Sequence, residues 1–151
     1  MIRRISIEDA EAVCRLCKAL GHDSDLAHIQ KRISELSADD HYFFPVYEDQ
    51  AGRVLGFIQA ERYDLLYGER GFNVIALCVD EKHRRCGIGR KLMEALEFHA
   101  GTCGVSFIRL NSRVERADAH AFYEALGYHC DKTQKRFIRR LQEKDECVSN
   151  T

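Results

Sequence analysis

The chain has 151 residues, 45% of them hydrophobic and 31% charged, with a formal net charge of −1. That length fits one domain with a proper core, and the composition is that of a soluble globular protein. So balanced a charge excludes a chain whose main task is neutralising nucleic-acid phosphates, and no apolar run is long enough to cross a bilayer.

The first six residues read as a short strand, and Met-Ile-Arg-Arg-Ile-Ser lacks the apolar core of a secretory signal, so the expected address is the cytosol. Ser6-Ile7-Glu8-Asp9 predicts a helix start with acids in its first turn, running to Leu20 and closed by Gly21. A second helix is predicted over 25–36, with Leu26, Ile29, Ile33 and Leu36 on one face. Residues 41–49 read as a strand, Gln50–Arg53 as a hairpin turn, and 54–62 as a second strand. A polar, aromatic loop spans 63–71 and a strand spans 72–79. The next helix carries Leu92, Ala95, Leu96 and His99 on one stripe, with Gly101 and Gly104 at its end. A strand at 105–110 and a helix at 115–126 follow, the latter capped by Gly127. Short strands are predicted at 128–130 and 135–141, then a polar tail over 142–151. The order β-α-α-β-β-β-α-β-α-β-β implies an α/β (α+β) mixed sheet with helices on both faces and a single domain over 1–141.

Seven cysteines include one CxxC, Cys14 to Cys17, but no second pair to complete a zinc site. In a reducing compartment they read as mostly buried, inert thiols, and no metal site is expected. Cys14-x-x-Cys17 lies inside a helical pattern, which is not the setting of a redox motif.

The stretch from Asn73 to His99 carries the chemistry. The apolar strand 74–79 stops at a charged turn, 80–83, followed by Arg84-Arg85-Cys86-Gly87-Ile88-Gly89-Arg90-Lys91 and a helix. Free backbone N–H groups and the positive helix end there point at one place, and glycines let an anion come close. A phosphorylated ligand is expected.

Arg84-x-x-Gly87-x-Gly89, with Leu77-Cys78-Val79 upstream, resembles the Q/R-x-x-G-x-G/A signature of the GNAT N-acetyltransferase superfamily. Arg116-x-x-Ala119-His120-x-Phe122-Tyr123-Glu124-x-x-Gly127-Tyr128 is similar to a second element of that family, in the right order. The resemblance implies acetyl-CoA (coenzyme A) as cofactor and a splayed central strand pair. It implies pyrophosphate on Arg84, Arg85, Cys86, Gly87, Ile88, Gly89 and Arg90, and pantetheine along Leu77, Cys78 and Val79, as an added strand. A bulge is expected near Leu77–Cys78, freeing the N–H of Cys78 or Val79 to polarise the thioester carbonyl. By position Tyr123 becomes the acid that protonates the leaving thiolate, and it also counts as a cofactor contact. Asn111 is expected either to bond to pantetheine or to cap its strand. Arg116 stands where many relatives have Asn. An acyl-cysteine on Cys78 or Cys86 is disfavoured, because the family transfers directly in a ternary complex.

An amine acceptor must lose a proton before it attacks, since a lysine-like amine has a pKa of about 10.4. Glu61, Asp64 and Glu69 are the acids placed to take it, Glu61 and Glu69 foremost, and Tyr63, Tyr67 and Phe72 complete an acceptor wall suited to a cation. The expected reaction is acetylation of a primary amine on a small molecule such as a polyamine, amino sugar or aminoglycoside. A protein N-terminus or lysine is the second acceptor class, and a non-catalytic CoA-binding regulatory module is the rival. The run Lys132–Arg140 reads as a solvated strand face, so neither nucleic acid nor membrane is expected as partner. A homodimer is allowed.

Overall fold

The computed structural model describes residues 1–141. The chain divides into two compact units, one from Met1 to Glu115 and one from Arg116 onward. The first holds a six-stranded sheet: β1 (Ile2–Arg4), β2 (Tyr42–Phe43), β3 (Pro45–Glu48), β4 (Val54–Asp64), β5 (Arg70–Val79) and β6 (Phe107–Leu110). The strands run β1-β3-β4-β5-β6, with β2 also on β4. All pairs are antiparallel except β5 with β6. Three helices belong to this unit: α1 (Ala10–Ala19), α2 (Leu26–Ser37) and α3 (Ile88–Thr102).

Local chemistry sets the helix ends. Asp25 caps α2 by accepting from the His28 N–H at 2.7 Å. Gly21 takes φ +88 after α1, where Gly21 N–H donates to Lys18 O and His22 N–H to Cys17 O, satisfying carbonyls the helix leaves open. The start is tighter than the acidic first turn predicts, because Ile7–Asp9 forms a 3-10 turn in which Asp9 accepts from the Ser6 N–H at 2.8 Å. Arg3 donates to both oxygens of the same carboxylate, which accounts for a buried acid at 6% exposure.

Period two divides the sheet into faces. Phe57 and Cys78 pack with Val13, Leu16 and Ile33 beneath α1 and α2. On the opposite face lie Ile58, Ala60, Phe72 and Val74, all buried, as are Leu92, Met93 and Leu96 of α3. Each fully buried side chain of this size contributes about 1.5–3 kcal/mol. Gly56 admits α3: a Cβ there would stand 2.8 Å from Cys78 O and 3.2 Å from Ile88 and Leu92. His99 stacks on Phe43, and burial holds its imidazole below the usual pKa, which favours the neutral ring at this part-buried position.

Several predicted elements move. The strand at 41–49 is two short strands interrupted at Phe44. The loop at 63–71 is mostly strand: β4 runs to Asp64 and β5 starts at Arg70, leaving a hairpin tip at 65–69. The whole of 63–71 reads as loop by composition, but Tyr63 and Gly71 face each other across the ladder. In the second unit, α4 (Ala117–Ala125) ends as expected, with Gly127 at φ +94, Gly127 N–H on Glu124 O and Tyr128 N–H on Tyr123 O. The strands predicted at 128–130 and 135–141 do not form. Those residues carry strand-like alternation, yet alternation specifies a strand only when a neighbour accepts its ladder, and none of 128–141 is in a ladder. The predicted tail, 142–151, lies outside the described residues.

Candidate active site

The strand carrying Leu77, Cys78 and Val79 has one open edge. β6 pairs with β5 only from Gly71–Phe107 to Val74–Leu110, so from Ile75 onward no strand among the described residues is paired on that side. This is the splay that the resemblance implies. The bulge is not where it was expected: the ladder pairs Gln59 with Ala76 and Ala60 with Val74, which makes Ile75 the extra residue, two positions before Leu77. Placing it from sequence failed because a bulge depends on the partner's register.

The strand's N–H directions follow from one hydrogen bond. Asp80 N–H donates to Leu55 O at 2.8 Å, so Asp80 faces β4. Antiparallel alternation turns the Cys78 N–H to β4 as well, and turns those of Leu77 and Val79 to the open edge. Of the two N–H groups expected to polarise a carbonyl, Val79 therefore qualifies and Cys78 does not; Leu77 joins it. Cys78 is buried at 2% exposure, a core thiol.

β5 leads straight into the glycine turn. Asp80 holds that turn by accepting from the Lys82 N–H and by pairing with His83 at 3.0 Å. Arg85 takes φ +62 and Gly87 takes φ +81, the latter as N-cap of α3. Lys91 N–H reaches back to Gly87 O, so the N–H groups of Ile88, Gly89 and Arg90 have no acceptor within the helix. The first turn of α3 contains no acid, and Arg84, Arg85, Cys86, Gly87 and Arg90 are exposed. A Cβ at Gly87 would meet nothing within 4 Å, so the space over these donors is clear. An open strand edge running into a basic, acid-free helix start fits coenzyme A in both its parts: amides to pair and phosphates to hold.

The acids predicted to face the acceptor separate. Glu61 stands on β4 opposite Asn73, whose Nδ2 donates to its carboxylate at 3.0 Å; His41 Nε2 lies 3.9 Å away on the other side. Glu69 sits at the hairpin tip and accepts from the Ser106 hydroxyl at 3.0 Å. It lies eight positions along the strand from Leu77, roughly 25 Å at strand rise. Asp64 is tied up with Arg62 and Arg70. Tyr67 is 89% exposed at the tip and Phe72 is buried against His99, so neither forms an acceptor wall.

In the second unit Tyr123 lies edge-on to Phe122 and Tyr128, and burial pushes its phenol pKa up, which keeps the proton on at neutral pH. Asn111, just beyond β6, accepts from Arg109 at 2.8 Å rather than capping the strand end. Burial also raises the Cys14 and Cys17 thiols, against the thiolate a redox pair needs. Among the described residues no group of three metal-ligating side chains assembles, and no helix is long and apolar enough to cross a membrane.

Two residues that sequence reasoning passed over, Asn73 and Arg109, complete a polar row across the sheet. Arg109 donates to Asn73 Oδ1 at 2.8 Å, and its guanidinium carbon lies 4.9 Å from the Tyr63 ring centre. Alternation places each residue on a face, but only the β4–β5–β6 register aligns them.

This fold and site define an acyl-CoA-dependent transferase. A model of the acetyltransferase (GNAT) family matches residues 6–128, and the chain belongs to that family. It is an acetyl-CoA-dependent acetyltransferase. Among solved structures it is similar to glucosamine-6-phosphate N-acetyltransferase from Arabidopsis thaliana, at 21% identity and TM-score 0.80, covering 91% of this chain and 97% of that one. It is similar to an aminoglycoside antibiotic 6'-N-acetyltransferase from Acinetobacter baumannii, at 19% identity and TM-score 0.80, covering 94% and 99%. It is also similar to a transcriptional regulator from Bacillus halodurans C-125, at 19% identity and TM-score 0.82, covering 92% and 99%. At these identities the likeness speaks for the fold.

Proposed function

We propose that the protein acetylates a primary amine of a small cytosolic molecule by direct attack in a ternary complex. The observation that carries this reading is the open edge of β5, with its Leu77 and Val79 N–H groups, continuous with the glycine turn before α3. Acetyl-CoA supplies an acyl group activated as a thioester. The N–H groups of Ile88, Gly89 and Arg90, with the Arg84, Arg85 and Arg90 side chains, hold the pyrophosphate. Val79 pairs with a pantetheine amide, and the Leu77 N–H, farther from the phosphate turn, is the donor for the thioester carbonyl. Asn111 has its oxygen on Arg109, which leaves its NH2 for the cofactor.

The acceptor approaches at the end of the α1–α2 face where the part-buried Glu61, Asn73 and Arg109 lie, beyond the apolar core those helices cover. Glu61 takes the ammonium proton, directly or through water, and Tyr123 has the role of the acid that returns a proton to the leaving sulfur. Two of the similar structures are named for acetylation of amines on sugars or sugar-derived antibiotics, which supports a small-molecule acceptor over a protein one.

The test separates the acids. Glu61→Gln is expected to lower kcat about 100-fold, the usual scale for a positioned base, at unchanged acetyl-CoA affinity. The deficit shrinks as rising pH deprotonates the amine. Glu69→Gln is expected to leave kcat within about twofold, since its carboxylate is engaged at the hairpin tip. The reverse pattern would move the base to Glu69.

A further inference from the structure

We propose that the acceptor is an amine that also carries an anionic oxygen group, a carboxylate or a phosphate, and that Arg109 binds that group. The inference rests on the transferase reading above and narrows its substrate class. Its basis is the row Glu61–Asn73–Arg109, which places opposite charges on one face of the sheet with a neutral amide between them. Asn73 is oriented by both neighbours: its NH2 donates to Glu61 at 3.0 Å and its oxygen accepts from Arg109 at 2.8 Å. The reverse orientation would set donor against donor and oxygen against carboxylate, so the amide is fixed.

The consequence is that the two charges do not cancel. Their Cα atoms are two strand spacings apart, roughly 10 Å. Arg109 has no carboxylate within ion-pair distance among the described residues. Its partners are the amide oxygens of Asn73 and Asn111 and the face of Tyr63. Those contacts hold the guanidinium plane while using two of its roughly five N–H donors. A half-buried arginine, held in place by neutral groups and still carrying its full charge, is preset to receive an oxyanion through two parallel hydrogen bonds. The row lies just before Ile75, where β5 and β6 part. An acceptor with its amine at Glu61 and its acid at Arg109 lies across the sheet at the mouth of that opening. A polyamine would put a second cation against Arg109.

The experiment measures acetyl-CoA-dependent thiol release for amines paired by one difference: an amino acid against its amide, and an amino sugar against its phosphate ester. The expected result is a kcat/KM at least about 30-fold higher for the acidic member with the native protein, falling to about threefold or less in Arg109→Gln. Arg109→Lys, which keeps the charge without the fork, should retain part of the preference. Equal rates within pairs, faster turnover of the neutral members, or a preference that survives Arg109→Gln would overturn the inference and leave the transferase reading standing. Thiol release with no amine, while acetyl-CoA still raises the melting temperature, would remove the transferase reading and this inference with it.

Discussion

Gly87→Val yields a folded protein that acetyl-CoA no longer stabilises against heat. Gly87 adopts φ +81, where a β-branched residue is strained by about 1–3 kcal/mol. That is a fraction of the roughly 5–15 kcal/mol that holds a domain together. The strain meets no clash, since a Cβ there has nothing within 4 Å, so the fold survives. The added isopropyl group occupies the clear space over the N–H groups of Ile88 and Gly89, which the phosphates must reach. Loss of at least about 100-fold in affinity is expected, and ligand at 100 times its Kd otherwise contributes about 2.7 kcal/mol of stabilisation. The check is a thermal melt with and without acetyl-CoA. A shift as large as the native protein's would mean that the phosphates bind elsewhere.

Tyr123→Phe is expected to lower kcat by about 100-fold or more, with acetyl-CoA affinity unchanged. The substitution removes one hydroxyl and keeps the ring contacts with Phe122 and Tyr128, so the α4 terminus stays packed. Burial raises the phenol pKa, which keeps the acid protonated through neutral pH and limits the alkaline arm of the rate profile. The sign is fixed: activity that depends on the protonated phenol falls as pH rises through its pKa. Pre-steady-state turnover across pH is the measurement, and equal rates in the two proteins would end the acid assignment.

The contrast between what could be read in the residues and what could not follows their range. Gly87 announces itself locally, because a glycine after a basic turn and before an amphipathic helix has few other uses, and the turn formed as expected. Gly127 did the same for α4. Ile75 did not, because a bulge arises from the register between β4 and β5, which no single strand encodes. The expected donors, Cys78 or Val79, gave way to Leu77 and Val79 for the same reason, since N–H direction depends on which neighbour takes the first bond. Glu61 and Glu69 looked equivalent as acids on or just after the third strand. The hairpin, closed two residues later than the composition suggested, left Glu69 at the tip, the far end of β5 from the glycine turn, and set Glu61 against Asn73. Arg109 had no local signature at all. Its meaning lies in three strands meeting.

The central claim is transfer of an acetyl group to an amine, and product stoichiometry tests it most directly. Mass analysis of the acceptor, alongside titration of released thiol, is predicted to give one acetylated amine for each coenzyme A freed, at a rate that saturates with amine. Thiol release without acetylated amine, or acetyl-CoA binding that no amine discharges, would contradict the account.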